Sequence, residues 1–286
     1  EELDVVVDDI NNKITIYIET ISKYDLSIKK FISAIDDTSI EDRAPIVTLN
    51  SEGKPEYAMN KDIEKVSNSQ KVTYTLRMFN ESNITAKGKR IIEYIPDGLV
   101  FLPENEKNIS YGWKLFGIDK NEKLYETNNV DEAKIVVTDY LVNKEIEAFN
   151  GEELPHYLDI EIVFRVDETK LTLDNRIIEN KVQIMPNDND DYPDNDQSSE
   201  KVYVKYFDLA IEKYIEEVTL VKHTGEETYK YGYDKKDTLV KIDLKKSELE
   251  GAIIKVTYGL VIKNVGEIPG YATEIKDNLP NGLAFD

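Results

Sequence analysis

The chain has 286 residues and a formal net charge of −21, with no cysteine. That length allows one to three domains with real cores. The charge argues against nucleic acid and anionic membranes, because phosphate binding needs clustered Lys and Arg. The missing cysteine excludes a disulfide framework, thiol catalysis and Cys-ligated zinc.

No apolar run is long enough to span a membrane, and the first residues do not form a signal peptide. The chain lacks an initial Met and stops inside a repeated segment, so it is expected to be an internal piece of a longer polypeptide. Residues 3–7 and 13–19 are β-rich runs around Asp9-Ile10-Asn11-Asn12, a predicted hairpin turn. They form an N-terminal strand pair or the end of a preceding module, spanning 1–22.

Next comes Tyr24-Asp25-Leu26-Ser27-Ile28-Lys29-Lys30-Phe31-Ile32. It returns as Phe207-Asp208-Leu209-Ala210-Ile211-Glu212-Lys213-Tyr214-Ile215, an offset of 213 − 30, or 183. A second segment, KVTYTLRMFNESNITAKGKRIIEYIPDGLVF from Lys71 to Phe101, matches KVTYGLVIKNVGEIPGYATEIKDNLPNGLAF from Lys255 to Phe285. Here the offset is 255 − 71, or 184. The chain is an array of one large module: a complete copy at 23–205 and a partial copy at 206–286. No flexible linker separates them at 205–207, so a stiff junction is expected.

Residues 33–70 are polar and turn-rich, with only short strands. Val72, Tyr74, Leu76 and Met78 alternate with polar neighbours, as in a half-buried antiparallel strand. Arg90 to Tyr94 is a strand closed by a turn at Ile95-Pro96-Asp97-Gly98, and Trp113 to Ile118 is another. A helix is predicted over about 138–149, capped by Thr138, with Val142, Ile146 and Phe149 at i, i+4 and i+7. Residues 158–166 alternate most cleanly, and strands follow at 176–185 and 201–205. Many short strands and one inserted helix predict an all-β chain of tandem Ig-like β-sandwich modules.

FDLAIEKYI at 207–215, VTYGLVIKNVGEIPGYATEIKDNLPNGLAF at 256–285, TDYLVNKEIEAF at 138–149 and NRIIENKVQI at 175–184 together resemble the DUF11 repeats of clostridial and related Firmicutes surface proteins. The resemblance covers most of 24–286. It implies Ig-like modules along a Gram-positive, secreted, cell-surface or appendage protein such as a stalk, adhesin shaft or fibre. Fold alone assigns no specific function.

Period-2 phase supplies the candidate chemistry. Lys30 shares a strand face with Leu26 and Ile28, Glu93 with Ile91 and Ile95, and Asn180 with Val182 and Ile184. A lysine amine, an Asn carboxamide and a carboxyl in a dry core are the parts of an intramolecular isopeptide bond. Likeness to Gram-positive adhesin and pilus modules also suggests that crosslink. Desolvation disfavours the ammonium and frees the amine as a nucleophile, while Glu93 acts as proton shuttle. Lys213 and Asp277 are the second-repeat equivalents. The competing reading is a buried Lys30–Glu93 ion pair, or Lys30 snorkelling at the sandwich rim.

The acidic loop at 187–197 offers Asp188, Asp190, Asp194 and Asp196 as calcium ligands, but it lacks the EF-hand glycine and twelfth-position Glu. A solvated acidic loop is the competing reading. His156 and His223 have no partnered Ser or metal-ligand spacing, and no phosphate loop is present. An enzyme is therefore not expected, beyond self-crosslinking. The alternative function is a calcium-dependent carbohydrate- or ligand-binding module. Expected partners are neighbouring modules of the same chain, with self-assembly through strand exchange by residues 1–22 of a neighbour as a further possibility.

Overall fold

Alternating apolar and polar residues set most elements of the computed structural model. It describes residues 3–10, 13–20, 23–185, 190–236 and 239–286, and for 3–20 the strand backbone alone. Leu3–Ile10 (β1) and Lys13–Thr20 (β2) pair antiparallel in a sheet of their own. The turn expected between them includes Asn11 and Asn12, which lie outside the described residues.

The first repeated motif becomes Leu26–Ile35 (β3), followed by Thr38–Ser39 (β4). The turn-rich stretch after it contains Ile46–Leu49 (β5), Pro55–Ala58 (β6) and Glu64–Val66 (β7). Lys71–Asn80 (β8), Ala86–Lys87 (β9), Ile91–Tyr94 (β10) and Leu99–Phe101 (β11) come next. Then follow Lys114–Ile118 (β12), Leu124–Glu126 (β13), Ile135–Thr138 (β14) and Glu145–Ile146 (β15). Tyr157–Val166 (β16), Ile177–Ile184 (β17) and Gln197–Val204 (β18) complete the first unit, which ends at Val204.

Two sheets make this unit a β-sandwich. One runs β13-β12-β14-β10-β17-β18-β7, and the other β11-β16-β8-β3-β4. Leu26, Ile28, Leu76, Ile160, Ile162 and Phe164 of the smaller sheet meet Ile91, Val136, Ile178, Val182 and Val202 of the larger in one core. A β-strand points alternate side chains to opposite faces, so each strand delivers one set of residues to this layer.

Gly98, in the turn before β11, has φ +92°, and a Cβ there would lie 2.6 Å from Ile178 and 2.9 Å from Leu171. Left-handed backbone and a filled space both select glycine. Gly98→Ala is expected to lower the urea unfolding stability by about 1–3 kcal/mol. Unchanged stability would show that the turn can relax.

The helix expected over 138–149 is not formed. Thr138 ends β14, and its hydroxyl donates to the Tyr111 carbonyl and accepts the Tyr140 N–H. Asn143 takes φ 71°, outside the right-handed helical region, and Glu145–Ile146 pairs with Ala86–Lys87. Within 138–149 the buried residues are Thr138, Leu141 and Ile146, while Val142 is exposed and Phe149 only half-buried. Tertiary pairing therefore overrides a helical spacing that supplied no continuous buried stripe. The short helix lies instead at Glu106–Ser110 (α1), capped by Asn105.

The second unit, Lys205–Asp286, holds Leu209–Lys222 (β19), Gly225–Lys230 (β20) and Ile253–Asn264 (β21) in the order β20-β19-β21. The repeat extends to register: Lys30 pairs with Leu76, and Lys213 with Leu260. Among the described residues, no helix is long and apolar enough to cross a membrane.

A lysine, acid and asparagine cluster in the sandwich core

Lys30, Glu93 and Asn180 converge between the two sheets of the first unit, and each is 0% exposed. Lys30 enters from β3 in the smaller sheet. Glu93 and Asn180 enter from the neighbouring strands β10 and β17 of the larger one. Glu93 stands opposite Val182 in that ladder, so Asn180 is its diagonal neighbour on the same face.

The Lys30 ammonium donates to Glu93 Oε1 and to Asn180 Oδ1. Asn180 Nδ2 donates to the Tyr94 carbonyl at 2.7 Å, which fixes the rotation of the carboxamide. Lys30 Nζ also lies 4.3 Å from the centroid of the Tyr74 ring. The sequence-predicted trio is thus brought together, with Tyr74 as one wall.

Burial controls the protonation of the pair. Desolvation lowers the Lys30 pKa to about 8, and attraction to Glu93 only partly opposes it. Desolvation also raises Glu93 to about 7 against the pull of Lys30. Both effects disfavour the charged forms and bring the neutral amine and neutral acid within reach near pH 7. Glu93 Oε2 and the Tyr74 hydroxyl are buried and have no hydrogen-bond partner among the described residues.

Lys29 occupies the opposite face of β3, 4.4 Å from the Tyr57 ring, as its phase predicts. In the second unit the Lys213 ammonium meets the Asp277 carboxylate oxygens at 2.6 and 2.7 Å and lies 4.2 Å from the Tyr258 ring. Lys213, Asp277 and Tyr258 reproduce Lys30, Glu93 and Tyr74, but they remain partly exposed. No asparagine amide is a hydrogen-bond partner of Lys213 among the described residues.

Four residues at the cluster were missed from sequence. Glu200 of β18 is buried and stands directly opposite Asn180 in the ladder. It alternates in phase with Val202 and Val204, the signal that identified Glu93, and could have been found in the same way. Arg43 and Lys61 lie within the turn-rich stretch and fold back onto Glu200. No periodicity marks them. Ser198, also on β18, accepts the Lys30 backbone N–H at 3.0 Å.

The loop proposed for calcium is distributed differently from a simple ligand ring. Asp188 lies outside the described residues. Asp190 accepts the Tyr192 N–H, Asp194 sits in the exposed turn Pro193–Asn195, and Asp196 is buried. Desolvation, with Asp190 and Asp25 nearby, raises the Asp196 pKa to about 7. Among the described residues, no group of three or more His, Cys, Asp or Glu side chains is arranged to hold a metal ion.

No protein-family model matches the chain, and no curated protein does. The DUF11 likeness therefore remains a resemblance of motifs. Among solved structures, the chain is similar to BcpA, the major pilin subunit of Bacillus cereus, with 12% identity and a TM-score of 0.31. That match covers 96% of this chain and 69% of BcpA. The D312A form of BcpA gives 12% identity and a TM-score of 0.28, over 92% of this chain and 63% of that one. Similarity at this level carries no argument about function.

Proposed function

We propose that the chain is a load-bearing segment of a bacterial surface stalk or fibre, and that its first module ties itself shut with a Lys30–Asn180 isopeptide bond. The convergence of Lys30, Glu93 and Asn180 in a sealed core supports this reading. Tandem modules suit a fibre, and the acidic balance keeps extended chains soluble and apart.

The chemistry needs no external reagent. Lys30 passes a proton to Glu93, and its neutral amine attacks Asn180 Cγ. A tetrahedral centre forms, while the protonated Glu93 hydrogen-bonds the carboxamide. The Cγ–Nδ2 bond then breaks as Glu93 gives its proton to the departing nitrogen; the Glu93 carboxylate takes the second proton from Nζ, and one ammonia leaves. An amide joins Lys30 Nζ to Asn180 Cγ. Burial helps at each step, by removing water from the amine and keeping the acid neutral.

The intact mass of the purified chain tests this reading. The expected value is one ammonia below the calculated mass, with full mass in Lys30→Ala, and a branched Lys30–Asn180 peptide on digestion. Lys213 is expected to remain a free amine open to acylation, so the deficit is one ammonia and not two. Full calculated mass in the folded parent would leave an ion pair and sink the proposal.

A further inference from the structure

Lys30 is an edge residue of its sheet. β3 pairs with β8 along its length, whereas β4 covers its other side only at Ala34 and Ile35. At Lys30 both backbone groups point away from β8. The N–H is taken by Ser198 Oγ at 3.0 Å and the carbonyl by Lys61 Nζ at 2.8 Å.

The Lys61 ammonium has three donors and uses all of them. The other two reach the Ser199 carbonyl at 2.9 Å and Glu200 Oε2 at 2.8 Å, both on β18. Lys61 therefore bridges the two sheets beside the cluster. The other oxygen of Glu200 faces Arg43 at 3.5 Å, and Arg43 itself is buried and donates to the Asp62 carbonyl at 2.7 Å.

We propose that Lys61 and Glu200, braced by Arg43 and Ser198, are positioning residues for the Lys30–Asn180 reaction, setting both the place of the Lys30 backbone and the charge around its amine. This rests on the crosslink proposed above. A freely hinged edge strand would let Nζ wander, and small displacements of a nucleophile cost large factors in rate. Glu200 stands opposite Asn180, so the same clamp fixes both reacting residues.

The groups facing the Lys30 amine are Glu93 from β10, Tyr74 from β8, Glu200 from β18 and Lys61 from the segment before β7. Their charges make opposite demands. The Glu200 carboxylate favours the Lys30 ammonium, and the Lys61 cation disfavours it. Removing Lys61 makes the reactive amine appear at higher pH, and neutralising Glu200 makes it appear at lower pH.

The test uses the full chain recovered unfolded from inclusion bodies, before the bond has formed. It is refolded in buffers spanning about pH 6 to 9, quenched in acid and weighed over time. Loss of one ammonia by the parent gives the reference rate and its pH midpoint. Lys61→Met is expected to slow the loss about tenfold and to raise the midpoint by about half a unit. Glu200→Gln should lower the midpoint by a similar amount, and Lys61→Arg should restore much of the parent rate.

Circular dichroism of each variant in a Lys30→Ala background reads folding separately. A variant that does not fold is replaced by Lys61→Gln or Glu200→Asn, each of which also removes the charge, and is judged by the same midpoints. A parent that never loses ammonia overturns the crosslink itself. A parent that does, with variant rates within about twofold or midpoints that do not separate in opposite directions, overturns only the positioning role.

Discussion

Pulled from its two ends, the parent chain is expected to lengthen far less than the Asn180→Ala chain. The bond would place Lys30 and Asn180, 150 residues apart, at one covalent junction. Tension entering before Lys30 and leaving after Asn180 would then bypass every residue between them. Asn180→Ala opens that bypass, and unfolding the first unit releases the whole loop, about 500 Å of contour at full extension. The same closure removes about 5 kcal/mol of unfolded-state entropy in the simple chain model. For a unit of this size that corresponds to a melting temperature lower in the variant by about 10–20 °C. Single-molecule stretching between terminal handles reads the first effect, and calorimetry the second. Equal contour lengths for parent and Asn180→Ala would mean that force is not routed through Lys30.

The three core residues were legible because a strand writes its facing into sequence with a period of two. Leu26, Ile28 and Lys30 alternate, as do Ile178, Asn180, Val182 and Ile184; burial follows that alternation in β17, whereas in β3 Ser27 and Phe31 of the other face are buried as well. A polar residue in apolar phase then stands out from its neighbours. Internal repetition sharpened the signal, since Lys213 and Asp277 fall where Lys30 and Glu93 do.

Period could not reveal what long-range folding brings in. Arg43 and Lys61 sit in a charged, turn-rich stretch and read as solvated, yet Arg43 is among the largest fully buried side chains. Its burial depends on Glu200, 157 residues away. The predicted helix failed for a related reason. Thr138 has a good capping side chain, but it is the last residue of a central strand, and ladder pairing outweighs a local cap.

The two repeats show the same dependence within one molecule. Ile91–Tyr94 is a strand held between β14 and β17. The matching residues 275–278 have no ladder partners among the described residues and form no strand. The sequence pattern specifies a face, and the neighbouring strands decide whether that face becomes a sheet.

The second large effect belongs to Glu93 and is expected before any bond forms. Glu93→Ala removes the proton shuttle, so that chain should keep its full calculated mass. It also strands the Lys30 amine in the core without its carboxylate. Breaking one half of a buried pair costs about 3–5 kcal/mol, whereas replacing both halves by apolar residues is close to neutral. Glu93→Ala should therefore be less stable at pH 7 than Lys30→Met/Glu93→Leu by about that amount.

The pH dependence separates this from a simple cavity. Lys30 titrates lower in the folded chain than its ordinary 10.5, so the unfolded chain holds more protons above the folded value. Stability must then rise with pH up to about 10.5. Glu93 acts in the opposite sense. Its folded pKa is raised from 4.5 to about 7, so stability falls as pH climbs through that interval. Asn180→Ala keeps both groups unlinked, and its urea midpoint should pass through a trough between about pH 7 and 8. Glu93→Ala should lose the falling limb and keep the rising one. In the parent, an amide at Lys30 no longer titrates, so the rising limb disappears. A rising limb of full size in a parent already short of one ammonia would place the crosslink on a different lysine.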